Sequence, residues 1–305
     1  MRDIVKKLKQ WSLSAGNIIC ICNSSSAMKY GTSETLCNET VAKAIIENIK
    51  EISVHVPRHF KPQNLDQFGH YLAGLIDGNG IFNNKQQLTI EFHPLDASLA
   101  YYIKKRIGYG SVKKLKTREA ILYNLSSSEG LIKTINLING KIRSKNTLNQ
   151  IITNVLSNSK FSEIQNQNNL NIKLDNDFNN HWLAGFSDAR ASLHINFVNF
   201  NSLKFEIQLN FKLSQINDNS LLLLIKNLLG GNLNYIKDHN TYYYDSSSFG
   251  SAKKVIDYLD HYHLLSTKQV NYLKWRKSYI LIQSNNYLSK IGLDRITKYK
   301  NTMNR

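Results

Sequence analysis

Hydrophobic and polar residues alternate with a period of two in two stretches of the chain, as they do in strands that are buried on one face. From Phe205 to Leu213 every second residue is apolar, and residues 88–92 repeat the pattern. One face of each predicted strand therefore belongs to a core, while the other face carries polar side chains. These polar side chains are Gln87, Thr89, Glu91 and His93 in the first strand, and Lys204, Glu206, Gln208, Asn210 and Lys212 in the second.

A helix is predicted after each strand, because helix-capping residues bracket an apolar run. Asp96 and either Asn219 or Ser220 stand where a side chain caps a helix N-terminus. Gly108 and Gly230 stand where the helices end. A hairpin and a further helix follow in each case. The four helices predicted in this way span residues 97–107, 221–229, 129–139 and 251–264.

The same order of predicted elements occurs twice along the chain. Residues 70–80, HYLAGLIDGNG, match residues 181–191, HWLAGFSDARA, at an offset of 111 residues. Each copy opens with a helix over this segment and continues as strand, strand, helix, hairpin and helix. This duplication predicts two similar subdomains related by a pseudo-twofold axis. Because each predicted sheet is antiparallel with helices on one face, the predicted fold class is α+β.

Composition divides the rest of the chain around these two copies. Residues 12–65 are rich in Ser, Asn and Thr and show little periodicity, and residues 141–180 hold eleven Asn in forty positions. Both compositions are typical of irregular or linking segments. The predicted order is an irregular N-terminal arm (1–65), a first subdomain (66–140), a linker (141–180), a second subdomain (181–285) and a basic C-terminal tail (286–305).

Charge narrows the class of partner. The chain has 39 Lys and Arg against 22 Asp and Glu, a net charge of +17, which favours a polyanionic ligand. The longest aliphatic run, Leu221–Ile225, is far shorter than the roughly 18 apolar residues of a membrane span, and no Lys/Arg-rich amphipathic helix stands out, so we expect no membrane partner. Nucleic acid is the favoured ligand. Residues 104–118 carry seven basic side chains and no acid, a pattern that neutralises phosphates.

The paired segments Leu72–Asp77 and Leu183–Asp188, each reading Leu-Ala-Gly-x-x-Asp, resemble the LAGLIDADG family of homing endonucleases and intron maturases. The resemblance covers residues 66 to about 285, and the flanking residues look like proteins encoded within group I introns of mitochondrial genes. It implies that the two motif helices form the subdomain interface, with their C-terminal ends beneath the nucleic acid. Small residues let such helices pack closely. Those in the two motifs are Ala73, Gly74, Gly78, Ala184, Gly185 and Ala189.

The family's catalytic position is altered in both copies. In the family, the eighth motif residue of each helix is a carboxylate, and the pair holds divalent metal, usually magnesium, for hydrolysis of both DNA strands. Here those positions are Asn79 and Arg190, a neutral amide and a permanent cation. Asp77 and Asp188 remain at position six, where the usual role is structural.

We therefore expect a single-chain, monomeric protein that binds nucleic acid and cleaves it poorly or not at all, acting as an RNA-splicing maturase. Two alternatives stay open: an active magnesium-dependent endonuclease that uses Asp77 or Asp188 for metal, and a non-functional relic that still folds. The ligand is double-stranded DNA or structured group I intron RNA. An Asn-, Ile- and Lys-rich composition indicates an A/T-rich gene, which a mitochondrial genome or an A/T-rich nuclear or bacterial genome would explain. The resemblance implies the mitochondrial location. The residues predicted to contact the ligand are those of the two polar strand faces together with Lys113, Lys114, Lys116 and Arg118.

Overall fold

The computed structural model describes residues 49–161, 170–173, 175–201, 204–216, 219–237, 240–246 and 248–303, apart from the side chains of residues 199–201, 204 and 205. Two copies of one α+β arrangement follow each other along the chain. The first copy consists of α1 (Leu65–Asn79), β1 (Gly80–Asn83), β2 (Gln87–Phe92), α2 (Ala97–Ile107), β3 (Ser111–Lys114), β4 (Ile121–Leu125) and α3 (Ser128–Ile138). The second consists of α5 (Trp182–Arg190), β5 (Ala191–Asn201), β6 (Lys204–Ile216), α6 (Ser220–Leu229), β7 (Asn232–Ile236), β8 (Thr241–Asp245) and α7 (Phe249–His261).

Each copy builds one antiparallel four-stranded sheet. The strand orders are β1-β2-β4-β3 and β5-β6-β8-β7, so the two sheets have the same topology. Leu88 and Ile90 of β2 are fully buried beneath helices, while their neighbours are partly exposed on the other face. This arrangement confirms the predicted α+β class, the duplicated order and the burial of one sheet face.

The helix bounds lie close to the predicted ones, but the predicted side-chain caps are wrong. Asp96 stands at the N-cap position of α2, yet its carboxylate accepts a hydrogen bond of 2.7 Å from the Thr267 N–H instead. Asn219 likewise makes no cap bond to α6. The last predicted helix begins earlier, at Phe249, because the Ser248 hydroxyl accepts from the Ser251 N–H. Asp96 therefore stands at the predicted N-cap position but does not make the predicted cap hydrogen bond, because a tertiary contact competes for its carboxylate.

The segment between the two copies covers the edge of the first sheet. Residues 162–169 and 174 lie outside the described part of the chain, and the described part contains the short helix α4 (Lys145–Gln150) and a π-helical segment (Ile151–Leu156). The Gln150 side chain accepts from the Phe82 N–H at 3.0 Å, and the Asn154 side chain donates to the Phe82 carbonyl at 2.7 Å. These bonds satisfy backbone groups that an edge strand otherwise leaves unpaired.

Both ends of the described chain pack on the second copy. Of the predicted N-terminal arm, residues 1–48 lie outside the described part, and residues 49–64 contain neither helix nor strand. Buried Arg276 of α8 (Lys268–Gln283) pairs with Asp260 at 2.8 Å and donates to the Ser53 carbonyl at 3.0 Å. Near the end of the described chain lies α9 (Lys290–Thr302), whose Ile296 is fully buried. Among the described residues no helix is long and apolar enough to cross a membrane.

Candidate nucleic-acid interface

The two motif helices, α1 and α5, meet backbone to backbone. A Cβ atom added at Gly74 would lie 1.9 Å from the Trp182 carbonyl oxygen, and one added at Gly185 would lie 2.0 Å from the Tyr71 carbonyl oxygen. Neither space admits a side chain, so both positions require glycine at this helix separation. The contact explains why each copy carries Gly at the third position of the motif.

The interface continues with small residues toward the C-terminal ends of both helices. Ala73 and Ala184 are fully buried. A Cβ at Gly78 would lie 2.4 Å from the Cβ of Ala189, so the two helix ends touch directly. The side chains at the eighth motif position, Asn79 and Arg190, are therefore brought to one place between the two sheets.

Asp77 is a structural carboxylate. Its Oδ2 accepts hydrogen bonds from the Trp182 indole Nε1 at 2.9 Å and from the Arg143 N–H at 2.7 Å. It thereby ties α1 to the start of α5 and to the segment before α4. Burial raises the pKa of Asp77 to about 6, even though these hydrogen bonds act in the opposite direction.

Asp188 is the pseudo-twofold counterpart of Asp77 and is more fully bonded. Its Oδ2 accepts from the Tyr71 hydroxyl at 2.7 Å and from the Leu265 N–H at 2.7 Å. Its Oδ1 accepts from the Ser266 hydroxyl at 2.5 Å and from the Ser266 N–H at 3.3 Å. Four donors occupy about as many acceptor sites as a carboxylate offers. Because these donors occupy its oxygens, the group is poorly suited to recruiting a metal. Burial raises the pKa of Asp188 despite these bonds.

The eighth-position side chains bond to nearby backbone. The Asn79 amide donates to the Glu91 carbonyl at 2.6 Å, which fixes the start of β1 against the end of β2. The Arg190 Nε donates at 2.5 Å to the carbonyl of Gly78, in the last turn of the opposite helix α1. Asn79 therefore stabilises the junction between α1 and the first sheet, and Arg190 stabilises the contact between the two helix ends.

Lys268 was missed by the sequence analysis. Its ammonium donates to the Asp188 carbonyl at 2.7 Å and to the Ser187 carbonyl at 3.2 Å, both in the last turn of α5. Burial lowers the pKa of Lys268. Its side chain lines a cavity of about 410 Å³ that Asn79 and Glu91 also line. No local signal separates Lys268 from the chain's other lysines, because its partners lie about eighty residues away in sequence.

These residues do not fit the divalent metal that the resemblance implies. A hard cation requires several oxygen ligands, preferably carboxylates. Asn79 supplies one neutral oxygen, and Arg190 supplies no acceptor and adds a positive charge. Within the described ranges, no group of three or more His, Cys, Asp or Glu residues is placed to hold a metal ion.

In the first sheet, the polar face is open but partly internally paired. Gln87 and Thr89 are partly exposed on the face opposite the helices. Glu91 forms an ion pair with exposed Arg118, and the ring of His93 accepts from the Leu95 N–H at 3.3 Å as a cap. Gln87 accepts from the Asn83 amide at 3.2 Å and Thr89 donates to the Ile81 carbonyl at 3.4 Å, so both side chains are partly exposed and also bonded within the sheet.

In the second sheet, Asn210 is engaged within the sheet. It is buried, donates to the Asp245 carboxylate at 2.9 Å and accepts from the Asn196 amide at 2.9 Å. Lys212 lies 3.7 Å from the same Asp245 carboxylate. Glu206 is exposed and Gln208 is partly exposed. The side chain of Lys204 lies outside the described part of the chain.

The basic segment 104–118 is divided between two surfaces. Arg106 lies on α2, where its guanidinium stacks over Phe68 at 4.8 Å, so this end of the segment belongs to the helical layer. Lys113 pairs in register with Leu122, whose side chain is on the open face. Because paired residues share a face, Lys113 also lies on the open face. The next residue, Lys114, points to the helix side, since successive strand residues alternate. Lys116 and Arg118 are exposed in the turn from β3 to β4.

Comparisons with known proteins agree with this arrangement. A family model described as LAGLIDADG endonuclease matches residues 183–279. An uncharacterised 37.2 kDa protein of cox1 intron 2 in Schizosaccharomyces pombe is 52% identical over 295 residues, which cover 97% of this chain and 86% of that protein. The intron-encoded RNA maturase bI4 of Saccharomyces cerevisiae is 34% identical over 211 residues, which cover 65% of this chain and 30% of the maturase.

A solved structure shares the fold. I-SmaMI, bound to its uncleaved DNA target in the presence of calcium ions, matches with a TM-score of 0.60 and 21% identity, covering 78% of this chain and 99% of that one. At this identity the likeness shows the fold alone. The matching family model, the relative that covers nearly the whole chain and the duplicated motif helices agree. The chain belongs to the LAGLIDADG endonuclease family.

Proposed function

We propose that this protein binds nucleic acid without cleaving it efficiently and acts as a splicing maturase on the group I intron that encodes it. The observation that carries the proposal is the pair of residues at the eighth motif positions, Asn79 and Arg190. Carboxylates are missing at these two positions, where only hydrolysis requires them. The other features of the molecule that nucleic-acid binding requires are present.

The absence of efficient cleavage follows from the chemistry of the two positions. Hydrolysis of a phosphodiester by metal ions requires anionic ligands that hold the cations beside the attacking and leaving oxygens. Arg190 repels a cation at this position, and Asn79 provides a single weak ligand. Asp188 does not substitute, because four donors already occupy its oxygens. The proposal therefore disfavours an active endonuclease that uses Asp188.

The kept features argue for a binding role over a relic. Random substitution destabilises a protein by about 1 kcal/mol per change, so unselected chains lose their interior contacts. Here both interface glycines, both cross-copy carboxylates and the net charge of +17 are present. Selection for binding alone would keep this set.

The partner and setting of the proposed function come from the relatives. The relative bI4 is an RNA maturase, and the S. pombe relative belongs to a cox1 intron. We infer that intron RNA is the functional ligand, that exon-junction DNA is the ancestral one, and that the protein works in mitochondria. It acts as a monomer, because one chain supplies both motif helices of the interface.

The first experiment tests splicing. A transcript of the encoding intron with its exons is incubated at low magnesium with and without the protein, and with the variant Gln87→Ala/Thr89→Ala, which removes the open polar contacts of β2. We expect faster splicing with the wild-type protein and less with the variant. Equal splicing rates with and without protein, and no preference for this intron over unrelated RNA, would show that the maturase proposal is wrong.

The second experiment tests cleavage. The duplex of the joined exons is incubated with equimolar protein and magnesium, and we expect no double-strand cut. The double reversal Asn79→Asp/Arg190→Asp restores at least nicking, since it returns anionic ligands to both helix ends. The single reversal Asn79→Asp is the matched control and should remain inactive. Linear product from the wild-type protein would contradict the proposal.

A further inference from the structure

Basic side chains bond to the C-terminal end of each motif helix. Arg190 donates to the Gly78 carbonyl of α1, and Lys268 donates to the Ser187 and Asp188 carbonyls of α5. A helix C-terminus carries a partial negative charge from its unpaired carbonyls and is stabilised by a nearby cation. The protein therefore supplies its own cations at the helix ends where the family resemblance implies metal ions.

The two cations differ in how much of their bonding capacity is used. The Lys268 ammonium donates to two carbonyls and lies within the Coulombic range of Asp188 and Asp96. For Arg190, only Nε has a hydrogen bond among the described residues, although a guanidinium carries five N–H donors. Its side chain is partly exposed.

The charge of Arg190 also has no carboxylate partner within the described part of the chain. Buried or half-buried charges are normally paired, because desolvation disfavours the charged form. Desolvation lowers the pKa of Arg190, and no carboxylate of the described residues offsets that shift. A half-buried guanidinium with unused donors and no acid beside it fits a ligand that brings its own negative charge.

The position of Arg190 identifies that ligand. The residue ends α5 where β5 begins, and it contacts the end of α1 where β1 begins, so it lies between the two open sheet faces. A nucleic acid that spans both faces passes its backbone over this point. Guanidinium and phosphate match in geometry and form charge-assisted hydrogen bonds in pairs.

We propose that the Arg190 guanidinium binds a backbone phosphate of a duplex lying across the two sheets, and that it replaces the divalent ion there, so that duplex binding needs no metal. The inference rests on the proposed nucleic-acid interface and adds a phosphate site at its centre. Arg190 has two roles in this view: Nε stabilises the end of α1, and the remaining N–H groups hold the ligand.

The test uses the duplex of the joined exons, whose own structure does not depend on divalent ions. Its affinity is measured by fluorescence anisotropy at constant ionic strength, in EDTA and in calcium, the ion present with I-SmaMI on its uncleaved target. For the wild-type protein we expect the same Kd in both buffers. For Arg190→Asp/Asn79→Asp we expect weak binding in EDTA and recovery in calcium.

Two further variants separate charge from helix capping. Arg190→Gln keeps a donor for the Gly78 carbonyl but loses the charge, and Arg190→Lys keeps the charge. We expect Arg190→Gln to lose about tenfold in affinity and to lower the slope of log K against log salt by about 0.9, one phosphate contact. Arg190→Lys should retain most of the affinity. Thermal unfolding of each variant, measured in parallel, reports the capping role alone.

Three outcomes would overturn the inference. These are a wild-type Kd that collapses in EDTA, an unchanged affinity and salt slope in Arg190→Gln with only its melting temperature lowered, and no binding of this duplex in any buffer. In each case the maturase proposal still stands if the intron RNA is bound and its splicing is accelerated. Conversely, an inert protein in the splicing assay that binds the duplex through Arg190 leaves this inference intact.

Discussion

Replacing Gly185 with Ala tests whether the close contact of the two motif helices holds the molecule together. The new Cβ would lie 2.0 Å from the Tyr71 carbonyl oxygen and 2.9 Å from the Leu75 nitrogen, both backbone atoms of α1. Ordinary contact begins at 3.4 Å, so the helices must separate by about 3.4 − 2.0 = 1.4 Å. Backbone atoms do not rotate away as side chains do, so the shift is borne by the whole interface.

The expected loss of stability combines three contributions. Overpacking costs about 1–3 kcal/mol. Moving Tyr71 away weakens its 2.7 Å hydrogen bond to Asp188, a bond to a charged group worth about 1.5–3 kcal/mol. Alanine gains about 1 kcal/mol over glycine in a helix. The net expectation is a decrease of roughly 1.5–5 kcal/mol in the free energy of unfolding, since the first two contributions exceed the third.

The assay is equilibrium urea unfolding of Gly185→Ala beside Gly250→Ala. Gly250 is also helical, but its added Cβ meets only the Ile49 side chain at 3.7 Å, so Gly250→Ala should be neutral or stabilising. Gly74→Ala should resemble Gly185→Ala. The double variant should lose less than the sum, because one separation relieves both contacts. Equal stability of Gly185→Ala and Gly250→Ala would refute the helix contact described above.

Three further predictions concern single side chains. Asp188→Asn should lower the free energy of unfolding by about 2–3 kcal/mol, because an amide cannot accept all four hydrogen bonds, whereas Asn79→Ala should cost under about 1 kcal/mol. Burial lowers the pKa of His181 from 6.5 to about 4. The contribution of neutral His181 to the free energy of unfolding is therefore complete above pH 6.5 and is lost as the pH falls toward 4. His181→Gln should therefore flatten the fall in stability between about pH 7 and pH 5, measured by urea unfolding. Lys113→Glu should lower the salt dependence of duplex binding by about 0.9 in log–log slope, while Lys114→Glu, on the other face of the same strand, should leave it unchanged.

Each of these predictions has its own contradicting result. Unaltered stability of Asp188→Asn, together with loss of any metal-dependent activity, would indicate a metal ligand in place of a structural carboxylate. An equally steep pH dependence in His181→Gln would assign the acid sensitivity to other groups. Equal slopes for Lys113→Glu and Lys114→Glu would place the ligand away from the open face of the first sheet.

The sequence determined the features that repeat at short range. Alternation in residues 88–92 and 204–214 requires only that one face of a strand be buried, so it predicted the strands and their faces. The matching segments 70–80 and 181–191 predicted two copies of one subdomain, and the glycines within them marked a close helix contact. These properties are visible because they depend on neighbours within a few residues.

The tertiary structure alone decided which partner each polar group meets. Asp96 bonds to Thr267 and not to its own helix, and Asn210 is held by Asp245, because the competing donors come from distant elements. For the same reason, Asp77 of the first copy accepts from Trp182 of the second, and Asp188 of the second accepts from Tyr71 of the first. Hydrogen bonding is directional and short-ranged, so a residue's partner depends on which elements the fold brings within about 3 Å. No periodicity in the chain encodes that distance.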